Sequence, residues 1–384
     1  MTAPPAGWAA GARRPRPVPG DLNRDPFIIF WELTRACALA CRHCRAEAQP
    51  QRHPLELTTD ECQALLDELT HFGHSPIVIL SGGDPFMRRD LFDIVSYARK
   101  LNLTVAVAPS ATALVTEERL ARLVELGVSS ISLSLDGAGP AIHDAFRGFP
   151  GTYDRTIRIA LMARRLGLPF QINTAVSHQT WRDLSLMATV VEEIGASTWD
   201  LFFLVPTGRA KVEDMLTPEE HEHVFEWVLD HSKTWPFRVK TTLGQHYRRA
   251  FILRRLQAGT RQPVGDEIKP AVKEWWPGPA TNDGRGVFFV SHVGDVYPSG
   301  FLPIRTGNVR KQSVVELYRH DPMFRQLRNP AALKGKCGIC PFNEVCGGSR
   351  ARAYALTGDP FAEEPVCAYQ PAATQGSPED SLIA

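Results

Sequence analysis

The sequence lacks any run of about 18 uncharged apolar residues, so it predicts no membrane-spanning helix. Residues 1–24 are rich in Pro, Ala, Gly and Arg but contain no apolar secretory segment, and we expect a disordered leader there. Without a secretory signature we expect a cytoplasmic protein in which disulfides are rare. An excess of one charge is also missing: 43 Lys and Arg face 42 Asp and Glu, which argues against nucleic-acid binding through phosphate neutralisation.

The 384 residues, 43% of them hydrophobic, are enough for one large domain and a smaller one. Over residues 25–232, short apolar runs alternate with amphipathic helical patterns, which is typical of an α/β fold with a parallel sheet. Strands are predicted at 27–33, 76–81, 104–109, 130–136, 170–176 and 199–205, with helices between them. The pattern weakens over a bridging segment at 233–285. A cysteine-rich region with a β-hairpin turn at 293–295 follows at 286–372, and residues 373–384 are expected to be a disordered tail.

Three cysteines, Cys37, Cys41 and Cys44, follow directly after the first predicted strand. A four-iron cluster normally takes four cysteine ligands, so three thiolates leave one iron open to bind a small molecule. Zinc is an alternative, because His43 could supply a fourth tetrahedral ligand. Cys62 stands alone in a helical pattern and is expected to be a small buried hydrophobic residue.

The spacing of these cysteines and their position after the first strand resemble the radical S-adenosylmethionine (SAM) superfamily. The resemblance implies a partial (β/α)6 TIM-type barrel over 25–232, a SAM-binding [4Fe-4S] cluster and an electron donor of the flavodoxin or ferredoxin type. It also implies reductive cleavage of SAM to a 5'-deoxyadenosyl radical that abstracts hydrogen from the substrate. The periodicity of apolar residues alone does not distinguish a partial barrel from a doubly wound sheet.

Four further segments resemble those that contact SAM in this superfamily. Gly82, Gly83 and Asp84 resemble the motif that meets the amino group. Alternation places Ser134 and Asp136 on one polar face of the fourth strand, where the resemblance implies contacts with the ribose and the methionine carboxylate. The resemblance further implies that Arg147 approaches that carboxylate and that Asn173 contacts a ribose hydroxyl. Each of the last four could instead be an ordinary polar residue of the barrel rim.

A second cysteine group comprises Cys337, Cys340, Cys346 and Cys367. Four thiolates complete either a zinc site or a second iron-sulfur cluster. Together with Asn308, this stretch resembles a SPASM-type auxiliary-cluster domain, but Ser299 stands where such domains carry a further cysteine. We therefore expect one fully ligated auxiliary [4Fe-4S] cluster that transfers electrons or holds its domain over the barrel.

Residues 346–359 resemble the branch that acts on tetrapyrroles in alternative haem and haem d1 biosynthesis. The main hypothesis is therefore oxidative decarboxylation or side-chain modification of a tetrapyrrole-like carboxylate. The alternatives are maturation of a ribosomally made peptide and a non-catalytic zinc protein. Basic and aromatic residues at 246–249 and at Trp275–Trp276 are candidates to contact a flat carboxylate substrate, or else belong to a surface helix and to aromatic packing. No acid or base on the substrate side can be named.

Overall fold

The computed structural model describes residues 20–257, 268–275 and 280–371. Its strands are β1 (Ile28–Thr34), β2 (Ile77–Gly82), β3 (Thr104–Val107), β4 (Ser130–Ser134), β5 (Phe170–Val176), β6 (Thr198–Phe203), β7 (Arg238–Thr242), β8 (Val287–Val290), β9 (Asp295–Tyr297) and β10 (Gly307–Asn308). They form one sheet in the order β10-β9-β8-β1-β2-β3-β4-β5-β6-β7. The sheet is open between β7 and β10, as in a partial TIM-type barrel, and the α/β prediction is confirmed.

The six predicted strands are all present, and β1 to β6 pair in parallel in sequence order. Two further parallel strands extend this set, since β7 pairs with β6 and β8 pairs with β1. Strand β7 lies within the predicted bridging segment. Its sequence, Arg-Val-Lys-Thr-Thr, has no apolar run because it lies at the edge of the sheet and none of its residues is fully buried.

The described helices are α1 (Thr59–Leu69), α2 (Leu91–Lys100), α3 (Glu117–Glu125), α4 (Pro140–Arg147), α5 (Thr152–Arg165), α6 (Leu184–Ile194), α7 (Pro218–His231), α8 (Tyr247–Gln257), α9 (Ile268–Trp275), α10 (Val314–His320), α11 (Pro322–Leu327), α12 (Gly335–Gly338) and α13 (Arg350–Thr357). Thr58 and Thr217 form capping boxes at the starts of α1 and α7, as their sequences indicate. Helix α4 was not expected, because it is only two turns long and is preceded by Gly139, which offers no side-chain cap.

The main hydrophobic core lies between the parallel sheet and the helices that connect its strands. Strand β4 shows how the chain divides its two faces: Ile131 and Leu133 are buried in this core, while Ser132 and Ser134 face the other side of the sheet. Polar side chains are thereby collected on the face away from the helices. None of the helices in the described part of the chain has the length and apolar content that a membrane crossing requires.

The cysteine-rich region joins the same sheet. Strand β9 pairs antiparallel with β8 through the turn predicted around Gly294, whose φ is +82°. Asn308 holds this turn by donating to the Val293 carbonyl at 3.0 Å and to Asp295 Oδ1 at 2.8 Å. Helices α8 and α9 pack through Ile252 and Val272 against the second cysteine group.

Of the predicted leader, bridging segment and tail, only parts lie within the described residues. Of the predicted leader, residues 20–24 are described: Leu22 is buried and its carbonyl accepts from Tyr318 Oη at 2.6 Å, so this end of the leader is packed rather than free. Residues 1–19, the tail from 372 onward, and 258–267 and 276–279 of the bridge lie outside the described residues, and Trp276 with them. The division into domains stays a prediction.

Candidate active site

The first cysteine loop (residues 35–49) extends from the carboxyl end of β1 and closes on itself. The Cys37 amide donates to the Gln49 carbonyl at 2.8 Å, and the Gln49 amide donates to the Arg35 carbonyl at 2.9 Å. Arg35 Nε also donates to the Ala46 carbonyl at 2.6 Å. These contacts hold the loop at the edge of the sheet where parallel barrels bind their ligands.

The three cysteines of this loop pack together in one cluster of side chains. Backbone amides point at two of the sulfurs, from Leu39 to Cys37 Sγ at 3.3 Å and from Ala48 to Cys44 Sγ at 3.5 Å. Burial raises the pKa of the Cys37 thiol, whereas amide donors favour a thiolate, the form that ligates metal. Clustered thiols with amides directed at sulfur fit an iron-sulfur cluster held by three ligands.

Among residues 20–257, 268–275 and 280–371, no three His, Cys, Asp or Glu side chains are placed to hold one metal ion. This does not bear against a cluster, because each thiolate of a four-iron cluster binds a different iron. His43, the fourth ligand in the zinc alternative, stacks on Phe146 with ring centroids 4.1 Å apart. Burial lowers its pKa to about 3, so its ring is neutral.

Gly82 and Gly83 bring the end of β2 against the start of the first cysteine loop. Two backbone amides donate across this contact: the Gly83 amide to the Thr34 carbonyl at 2.8 Å, and the Asp84 amide to the Ala36 carbonyl at 2.7 Å. A Cβ on Gly82 would lie 2.2 Å from the Thr34 carbonyl oxygen, and one on Gly83 would lie 2.4 Å from that of Ala36. The glycines are required for this close approach, which fixes the loop that carries the cysteines.

Asp84 is fully buried, and its carboxylate is occupied within the protein. Oδ1 accepts from the Phe86 amide at 3.1 Å and Oδ2 accepts from Thr112 Oγ1 at 2.7 Å. Burial raises its pKa. In this structure Asp84 holds the turn after β2, and its contact with the SAM amino group stays a prediction.

Asp136 and Arg147 connect the end of β4 to the first cysteine loop. Arg147 Nε donates to Asp136 Oδ2 at 2.6 Å, and Nη1 lies 3.8 Å from Cys41 Sγ. Asp136 Oδ1 accepts from the Ala175 amide at 2.8 Å. The Arg147 guanidinium lowers the pKa of Asp136 even though burial opposes this, so the carboxylate is charged. The structure therefore places a fixed cation beside the cysteines, where it can bind a carboxylate.

Ser134 and Asn173 are paired in the sheet. They begin a row of four paired polar residues across β4 to β7, and only these two were predicted as site residues. Ser134 pairs with Asn173 on β5, Asn173 with Asp200 on β6, and Asp200 with Lys240 on β7. Lys240 Nζ lies 3.0 Å from Asp200 Oδ2, and burial raises the pKa of that carboxylate. Asp200 was missed, although it stands between the apolar Trp199 and Leu201 in the alternation that identified Ser134.

The four cysteines of the second group all line one cavity. Backbone amides donate to two of their sulfurs, from Glu364 to Cys337 Sγ at 3.2 Å and from Gly348 to Cys346 Sγ at 3.4 Å. Four thiols around one space, with amides directed at sulfur, fit a fully ligated cluster. Ser299, where a further cysteine would stand, is buried and hydrogen-bonded to Asp283.

Arg352 anchors this region to the barrel. It is fully buried, pairs with Glu364 at 3.2 Å and donates to the backbone carbonyls of Leu243 and Phe203 at 2.8 and 3.3 Å. Because Phe203 ends β6, this side chain ties the second cysteine group to the carboxyl ends of the strands.

The segment 246–249, a candidate for contact with the substrate, packs against the second cysteine group, and its contact with a substrate stays a prediction. His246 and Arg249 are buried and line the cavity of the second cysteine group. Arg249 pairs with Glu222 through both terminal nitrogens, and Nη2 lies 3.8 Å from Cys367 Sγ. These two residues do not form a solvated surface, the other interpretation of this segment. Trp275 ends α9, and its side chain lies outside the described part of the structure.

Comparison with known proteins gives one family and several relatives. Residues 31–190 match the model of the radical SAM superfamily. The AdoMet-dependent heme synthase of Methanosarcina barkeri is 40% identical over 350 residues, which cover 91% of this chain and 98% of that protein. The pre-heme d1 synthase of Dinoroseobacter shibae is 30% identical, over 92% of this chain and 88% of that protein. Streptococcus suis SuiB bound to its precursor peptide SuiA shares the fold, with a TM-score of 0.70, 16% identity, and coverage of 90% of this chain and 76% of that one.

Proposed function

The chain belongs to the radical SAM superfamily, and on that premise we propose that it removes carboxylate groups from the side chains of a tetrapyrrole. The observation that supports this substrate class is the 40% identity to a heme synthase along nearly the whole of both chains. Membership in the superfamily also sets aside the non-catalytic zinc alternative.

When bound, the cluster and SAM together supply a 5'-deoxyadenosyl radical that takes a hydrogen atom from the substrate. We assign Cys37, Cys41 and Cys44 as the protein ligands of the SAM-binding cluster.

The residues assigned to SAM lie beside this loop. Asp136 holds Arg147 beside Cys41, and we assign Arg147 to the SAM carboxylate. We assign Ser134 and Asn173, which pair in the sheet, to the ribose of SAM. We assign the amino group of SAM to the turn that Gly82, Gly83 and Asp84 form at the end of β2.

The proposed reaction must also dispose of an electron. A carboxyethyl side chain that loses one hydrogen atom, CO₂ and one electron becomes an alkene. The hydrogen atom goes to the 5'-deoxyadenosyl group, but the electron needs an acceptor. Cys337, Cys340, Cys346 and Cys367, which Arg352 ties to the end of β6, would hold a second cluster, and such a cluster would supply the acceptor. We further propose a cytoplasmic location and a flavodoxin- or ferredoxin-type donor for the initial electron.

The test is turnover by the anaerobically reconstituted protein with SAM, reductant and an iron-bound tetrapyrrole that carries carboxyethyl groups. We expect 5'-deoxyadenosine and a product that has lost one CO₂ and two hydrogens for each reacted side chain, as read by mass spectrometry. A parallel reaction uses peptides encoded beside the gene. Modification of a peptide while the tetrapyrrole remains unchanged would replace this proposal with the peptide-maturation alternative.

A further inference from the structure

Arg209 carries a guanidinium group with buried nitrogen atoms and no partner. Its Nε and Nη2 are buried without a hydrogen bond, and within the described ranges its side chain forms no ion pair. Leaving charged donors buried and unsatisfied is costly, because the hydration that they lose is not replaced. A buried donor without a partner in a native protein calls for an explanation, and a bound ligand is one such explanation.

The backbone places Arg209 beside the first cysteine loop. It follows β6 at the rim of the barrel, and its amide donates to the Cys44 carbonyl at 3.2 Å. Gly208 precedes it with a φ of +67°, and a Cβ there would lie 2.5 Å from the carbonyl oxygens of Cys44 and Arg45. The close contact that only glycine permits therefore fixes the position of Arg209 relative to the candidate SAM-binding site.

Neighbouring arginines at this rim already have carboxylate partners. Arg45 pairs with Glu32 at 2.9 Å, and Arg147 pairs with Asp136 at 2.6 Å. Arg35, at the start of the loop, lies 3.6 Å from Glu47. Arg209 differs from these three in that no carboxylate of the described residues reaches it.

The two unpartnered nitrogens also indicate the shape of the missing group. Nε and Nη2 form one edge of the planar guanidinium, and a carboxylate can accept from both at once through its two oxygens. We propose that Arg209 binds a carboxylate group of the substrate and thereby positions a neighbouring side chain for reaction. This inference rests on the proposed tetrapyrrole substrate. SAM also carries a carboxylate, but Arg147 is placed for that group, so we assign Arg209 to the substrate.

The test compares Arg209→Gln and Arg209→Lys with the wild-type holoenzyme. Arg122→Gln is the matched control, since Arg122 is an exposed arginine on α3. We expect KM for the tetrapyrrole to rise roughly 10- to 100-fold in Arg209→Gln, because a charged hydrogen-bonding partner is lost. Arg209→Lys retains the charge without the paired donors, so its KM for the tetrapyrrole should lie between those of wild type and Arg209→Gln. The SAM dissociation constant and the cluster's electron paramagnetic resonance signal should match those of wild type.

A substrate whose carboxylates are methyl esters separates recognition from general damage. Wild type should lose affinity for the ester, whereas Arg209→Gln should bind acid and ester with more similar affinity. Unchanged tetrapyrrole affinity in Arg209→Gln, or a loss of SAM affinity instead, would overturn the inference about Arg209 but not the proposed function. If wild type neither binds nor converts the tetrapyrrole, the proposed function fails and the inference fails with it.

Discussion

Arg147 Nε lies 2.6 Å from Oδ2 of the fully buried Asp136, and the same guanidinium reaches Cys41 Sγ at 3.8 Å. One side chain thus joins the end of β4 to the first cysteine loop. Its charge is balanced by Asp136, while its position beside sulfur leaves it able to meet a carboxylate bound at the cluster.

Asp136→Asn should weaken both the fold and SAM binding. The amide retains the shape of the carboxylate but leaves the Arg147 cation without its counter-charge, which costs about 3 kcal/mol of unfolding free energy. The exposed Asp154→Asn is the control and should change stability by less than about 0.5 kcal/mol. Denaturant titration and SAM binding measure the two effects, and wild-type stability in Asp136→Asn would contradict the pairing.

Gly83→Ala should prevent assembly of the first cluster. The added Cβ would lie 2.4 Å from the Ala36 carbonyl oxygen and displace the loop that carries the cysteines. In Gly139→Ala the new methyl group meets nothing within 4 Å, so this matched control should retain its iron. Iron analysis after reconstitution distinguishes the two. Full iron content in Gly83→Ala would show that the contact does not position the loop.

Cys340→Ala should separate the two cysteine groups. Removing one thiol from the second cavity should lower the iron content by about four atoms per chain. We expect SAM cleavage to persist and the product to be lost, because the electron acceptor is missing. Cys62→Ala is the control, since Cys62 is buried in the main core, away from both groups. Normal product formation by Cys340→Ala would show that the second cluster is not the electron acceptor.

Acid should destabilise the protein through His221. Burial and the charge of Arg352 lower the pKa of His221 to about 3, below its ordinary value of 6.5. Between these values the unfolded chain binds the extra proton, so the stabilisation is complete above pH 6.5 and declines as pH falls. At pH 5.5 the loss is about 1 kcal/mol relative to pH 7.5.

The measurement is the pH dependence of unfolding free energy in wild type, His221→Gln and the exposed His320→Gln. Wild type and His320→Gln should lose similar stability between pH 7.5 and 5.5, whereas His221→Gln should lose about 1 kcal/mol less. Equal pH dependence in all three proteins would show that His221 is protonated in the fold without cost.

Sequence periodicity predicted the buried part of the fold well because burial itself imposes the pattern. Strand β5 lies at 170–176 as predicted, and its buried residues alternate with partly exposed ones. Strand β7 was missed because an exposed edge strand needs no apolar run. Helix α4, which carries Arg147, is too short for its period to be recognised.

The candidate site was predictable where motif spacing determines it, and not where tertiary packing does. The seven cysteines fall into the two groups that their spacing indicated. By contrast, the sequence suggested Arg249 and His246 as possible substrate contacts, whereas the structure packs both against the second cysteine group. Arg209 carries no motif, and its missing partner becomes visible only when its surroundings are known.

The most direct test concerns the iron that, in our proposal, Cys37, Cys41 and Cys44 leave without a protein ligand. Electron-nuclear double resonance on the reduced Cys340→Ala protein would observe the first cluster alone, with SAM labelled with ¹⁵N in its amino group and ¹⁷O in its carboxylate. We expect hyperfine coupling to both labels, and Cys41→Ala in the same background should abolish the signal and the release of 5'-deoxyadenosine. A cluster signal that SAM leaves unchanged would contradict the account.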